Sequence, residues 1–174
     1  MTAPIRRRTR AREIAMQVLF QFDVRGESYA SELGKTTASL CADEAGQEGE
    51  NGDLVEFAAR LVDGTLQHRA EIDQRLQSVT RNWDLRRMAI VDRNVLRMAA
   101  YELMFCTDVP PKVAINEAIE LGKKYSTANS GGFVNGILDR IRIDLEKERK
   151  PAAGKPAAGK AAGTVPPAAS ADGA

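Results

Sequence analysis

Histidine occurs once in this chain, cysteine twice, and aromatic side chains make up only 5% of its 174 residues. Each shortage removes a class of function. Cys41 and Cys106 are far apart and lack CxxC spacing, which argues against a disulfide scaffold and against zinc, and suits a reducing cytoplasm. His68 stands in TLQHRAE with no cysteine or second histidine at ligand spacing, and reads as a surface helical side chain. Gly131, Gly132 and Gly136 make neither a GxGxxG nor a P-loop pattern, and no Gly-Lys-Ser/Thr follows them. No apolar run approaches the roughly 18 residues that span a membrane. The basic N-terminus lacks a following apolar region, because Gln17, Gln21 and Asp23 interrupt it. The expectation is a cytoplasmic protein that is not an enzyme and needs no cofactor or metal.

What remains is a core of Leu, Ile, Ala and Met, with no short alternating Val/Ile/Thr runs, and this favours an all-α fold. The net charge of +1 hides an uneven distribution. Residues 1–12 carry five arginines (Arg6, Arg7, Arg8, Arg10, Arg12) and no acid, whereas residues 36–59 carry six acids and no Lys or Arg. Local patches of this kind say more about partners than the total does.

Residues 1–9 read as a flexible basic arm, ahead of a helical domain over 10–147. A helix is predicted from about Thr9 to Asp23, stopped by Gly26, with Ile14, Ala15, Val18, Leu19 and Phe22 as its apolar stripe. A short helix fits within 28–41, and 42–53 reads as an acidic, Gly-rich loop. Further helices are predicted from Leu54, over Glu71–Val79, and over Trp83–Phe105 with a break admitted near its start. Val109-Pro110-Pro111 ends that stretch and suits the first turn of the next helix, about Lys112–Tyr125. There Glu120 and Lys124 have i,i+4 spacing. Ser126–Gly132 reads as a polar turn and Phe133–Glu146 as the last helix. Residues 148–174, where PAAGK occurs twice, have almost nothing to bury and read as a disordered tail.

Two places carry binding chemistry. Guanidinium groups pair bidentately with phosphate and stack on bases, so an arginine cluster suits RNA. At about 100° per residue, Phe20 falls roughly 160° from Phe22, on the polar side with Arg10, Glu13 and Gln17. An aromatic there either stacks on single-stranded RNA or packs against another element. The second place is the last turn, bracketed by Tyr125, Asn129 and Phe133. Asn reads base edges, aromatic rings stack, and helix N-termini favour phosphate. Phe133 equally suits the start of a buried stripe.

The segments Arg6–Arg12, Val91–Leu103 (VDRNVLRMAAYEL), Pro111–Lys123 and Phe133–Arg140 resemble, in the same order, signature stretches of the NusB family of transcription antitermination factors. The resemblance covers about residues 5–145. It implies two small helical bundles packed at an angle, about seven helices in all. The implied function is binding the boxA element of nascent, notably ribosomal RNA, transcripts together with NusE, a small-subunit ribosomal protein, within the elongation complex of RNA polymerase. Carried over, Arg6, Arg7, Arg8, Phe20, Tyr125, Asn129 and Phe133 are the RNA-side residues, and Asp92 is the candidate on the NusE side. Phe20 stands where some relatives have Tyr, Gly132 where many have Lys, and Asn129 where Asp is frequent. NusB-like proteins also self-associate, so a homodimer is admitted.

Three rival readings stay open. The same fold precedes the catalytic domain of certain ribosomal RNA cytosine methyltransferases, but here a tail follows it. A helical protein-binding adaptor would keep its partner without the arginines. Nonspecific binding through about three to five phosphates would give a log–log salt slope of about −2 to −3.5 without sequence discrimination.

Overall fold

The computed structural model describes residues 4–43 and 52–150. Seven α-helices and two short 3-10 turns make up the described chain. Helix α1 (Pro4–Arg25) ends at Gly26, whose φ of 78° closes the helix with a hydrogen bond from its N–H to the Phe22 carbonyl (2.8 Å). A 3-10 turn (Glu27–Glu32) leads into α2 (Leu33–Asp43), and α3 (Gly52–Gln67) and α4 (Arg69–Val79) follow. A second 3-10 turn (Leu85–Arg87) precedes α5 (Ile90–Phe105), α6 (Pro111–Tyr125) and α7 (Ser130–Arg149). α1 packs chiefly on α3, with α2 against both; α6 and α7 pack on each other and on α5, and α4 rests on α5 and α7. Two helical groups thus share one continuous core.

α5 holds the groups together. Every residue from Asn94 to Leu103 is buried, as befits a helix surrounded on all sides. Its polar members are each tied to another element. Asn94 donates to Asp23 (3.1 Å), Arg97 donates twice to Asp73 (2.7 and 2.9 Å), and Glu102 accepts twice from Arg12 (2.8 Å each). Asp23 also accepts from Arg93 (2.7 Å). Burial alone would raise the Asp23 carboxyl, but the bonds from Arg93 and Asn94 outweigh it and hold it below its ordinary range.

Several expectations need correction. The first helix starts at Pro4, not near Thr9, so the arginines from Arg6 onward stand on a helix rather than on an arm. Two contacts hold those turns down: Thr9 donates to Glu117 of α6 (2.9 Å), and the Arg8 guanidinium covers the Phe57 ring of α3 (4.8 Å). The last helix starts at Ser130, because Ser130 fixes the turn before it and Gly131 is buried closely against Lys123 of α6. The break admitted near the start of the Trp83–Phe105 stretch is present, with Asp84 capping the 3-10 turn by accepting from the Arg86 N–H (2.9 Å). Glu120 pairs with Lys123 (3.1 Å) rather than with Lys124, which crosses to α1. His68 is no free surface side chain; it occupies the N-cap position of α4 without a side-chain capping bond, and its ring stacks on Phe105 at 4.0 Å. Residues 44–51 of the acidic loop, Met1–Ala3 and residues 151–174 of the tail lie outside the described residues.

Candidate nucleic-acid interface

Arg6, Glu13 and Phe20 recur every seven residues along α1, so they share one face, flanked by Arg10 and Gln17. Arg6 is exposed. Arg7 and Arg8 border a cavity of 330 Å³ with Asp53, Glu56, Phe57 and Arg60, and Arg8 also approaches Asp108 (3.9 Å). Arg10 donates to one oxygen of Glu13 (2.7 Å), while the other oxygen accepts from Lys124 of α6. Burial would raise the Glu13 carboxyl; the bonds from Lys124 and Arg10 prevail and lower it. Lys124 in turn stands 5.0 Å over the Tyr125 ring. Glu13 therefore joins the arginine end of α1 to the end of α6, a connection between residues 111 positions apart.

The α6–α7 turn completes the surface. Tyr125 is half-buried and Asn129 is exposed, at the N-cap of α7 but without a side-chain capping bond. One turn on, half-buried Phe133 meets Trp83 at 5.3 Å with the rings tilted by 49°. Asp92, in the first turn of α5, accepts from the Ser130 hydroxyl (3.2 Å), and its other oxygen is buried without a hydrogen-bond partner. Asp92 thus anchors the start of α7. Phe20 is 36% exposed, and Val24, one turn further along α1, is 59% exposed.

The NusB family model matches residues 9–142. The chain belongs to the NusB family. It is 48% identical over 144 residues to the transcription antitermination protein NusB of Anaeromyxobacter dehalogenans, covering 83% of this chain and 96% of that protein. Among solved structures it is similar to T. maritima NusB (38% identity, TM-score 0.69, 83% of this chain and 94% of that one). A crystal structure of the antitermination factors NusB and NusE in complex with dsRNA is similar too (31% identity, TM-score 0.68, covering 83% and 99%).

Within this NusB fold the expected site residues divide. Arg10, through Glu13 and Lys124, is linked to Tyr125 at the last turn, with Asn129 and Phe133 just beyond it. Arg6 and Phe20 lie at either end of the α1 face. Arg7 and Arg8 face α3 instead. Arg12 is corrected outright: it is 2% exposed, paired bidentately with Glu102 and stacked at 5.1 Å over Phe57. Burial alone would lower the Arg12 pKa, yet the Glu102 bonds outweigh it and raise it. Such an arginine supports the core and offers RNA nothing. Sequence reasoning missed Glu13, Lys124, Val24 and Trp83. The signal for Trp83 was a lone tryptophan within the charged segment RNWDLRR; Glu13 and Lys124 gave none, since their pairing needs the helices docked. Among the described residues no helix is long and apolar enough to cross a membrane.

Proposed function

We propose that this chain is an RNA-binding transcription antitermination factor that engages boxA-type single-stranded RNA on nascent ribosomal RNA transcripts jointly with NusE. It acts on the cytoplasmic elongation complex of RNA polymerase and performs no catalysis itself. What supports the RNA assignment is the Arg10–Glu13–Lys124 connection, since the Arg10 guanidinium is suited to phosphate and the Tyr125 ring, beside Lys124 on the adjoining helix, is suited to a base. Arg6, Arg7 and Arg8 supply positive charge to approaching phosphates, and Tyr125, Phe133 and Phe20 supply ring faces. Asn129 carries an amide suited to a base edge. Asp92, in the first turn of α5, serves the NusE side.

Readthrough tests this reading. Transcription by purified RNA polymerase across a terminator placed downstream of boxA should rise when this chain and NusE are both added. A template with scrambled boxA should not respond. Equal readthrough on both templates would reject the reading.

A further inference from the structure

Trp83 is the chain's one tryptophan, and 56% of it is exposed. Indole is the largest partly apolar side chain and is usually highly buried, so this exposure is informative. The residue is held in place. Its backbone N–H donates to the Thr80 carbonyl (2.8 Å), its carbonyl accepts from Gln77 (3.0 Å), and Phe133 supports the ring at 5.3 Å. Its segment, residues 81–87, carries three arginines against one acid, Asp84. Arg81 and Arg87 are exposed, and Arg86, although paired with Asp84, keeps 89% of its side chain exposed. An exposed ring backed by a second aromatic, in an arginine-rich segment, is the chemistry that takes a nucleobase and its phosphate. An apolar protein patch would instead call for a continuous greasy surface, and two rings edged by arginines do not provide one.

We propose that Trp83, backed by Phe133, forms a further stacking subsite for a base of single-stranded RNA, with Arg81 and Arg87 beside the flanking phosphates. The subsite extends the α6–α7 surface onto the α4–α5 connection and rests on the RNA-binding reading above.

Because no other tryptophan is present, indole emission reports on this subsite alone. Full-length protein is titrated with a short unlabelled boxA RNA while emission is followed, and a labelled copy is followed in parallel by anisotropy. Emission should be quenched in step with the anisotropy rise. Trp83→Ala should weaken RNA binding by about 5- to 150-fold, the range for losing one stacked base, with an unchanged circular dichroism spectrum. Trp83→Phe should retain most of the affinity. RNA binding with unaltered emission and full affinity in Trp83→Ala would overturn the subsite while sparing the broader reading. Emission that responds to NusE but not to RNA would overturn it as well, in favour of a protein contact. Absence of any anisotropy change in the wild type would remove the RNA-binding reading and the subsite together.

Discussion

Arg12 of α1 and Glu102 of α5, 90 positions apart in sequence, meet in the interior through two parallel hydrogen bonds of 2.8 Å. Both side chains are almost wholly withdrawn from water, at 3% and 1% exposure. Desolvating two charges is costly, and the pair stabilises only while both partners are present. Glu102→Gln should therefore cost about 3–5 kcal/mol, the usual penalty for stranding a buried charge, as read by urea denaturation. The double change Arg12→Met with Glu102→Leu should recover most of that loss. It should also leave RNA affinity unaltered, since Arg12 does not reach the surface. A double variant that folds well but loses RNA would contradict the core assignment.

Gly64 of α3 faces the Tyr101 ring of α5 so closely that an added Cβ would overlap it. The close approach, not backbone freedom, demands glycine there. Gly64→Ala should destabilise by about 1–3 kcal/mol through overpacking. Adding Tyr101→Leu should restore part of the loss, and a thermal melt of the three proteins distinguishes this from a simple propensity effect, which would favour alanine.

Asp108 and Glu13 are among the carboxylates that set an acid limit on stability. Asp108 is held down to about 2, chiefly by its hydrogen bonds from Arg60, and Glu13 is lowered as described. Depressed folded-state values mean that their contributions are present above the unfolded values of 3.8 and 4.5 and fade as pH falls through the folded ones. Asp108 is 46% exposed, so its share should be modest, about 0.2–1 kcal/mol after solvent screening. Unfolding midpoints of wild type and Asp108→Asn should differ at pH 7 and converge as pH approaches 2. A constant difference across that range would exclude the ion pair as its source.

The sequence made the helices legible because their apolar spacing is regular: Leu54, Phe57, Ala58, Leu61 and Val62 are all buried on one side of α3. Gly26 and the Pro110–Pro111 stop also acted through local backbone rules. Around the candidate site the turn itself was legible because its signals are local: Tyr125 ends α6 and Asn129 stands at the N-cap of α7. Arg12 was misread because an arginine's composition is the same at a surface and in a core, and its partner lies on α5. Glu13 is similar: its position on the polar face gave no hint that it bridges Arg10 and Lys124. The start of α1 was misjudged because its anchors, Glu117 and Phe57, belong to other helices.

The central claim is sequence-selective RNA binding through the α1 arginines and the α6–α7 turn, reinforced by NusE. It is tested most directly by fluorescence anisotropy of a short boxA RNA and a scrambled control, with and without NusE, across a range of salt. Wild type should prefer boxA, more strongly with NusE. Changing Arg6, Arg7 and Arg8 to Ala should weaken binding and flatten the log–log salt slope by about 0.7 for each phosphate no longer neutralised. Equal binding of both RNAs, indifferent to NusE and to the three arginines, would contradict the account.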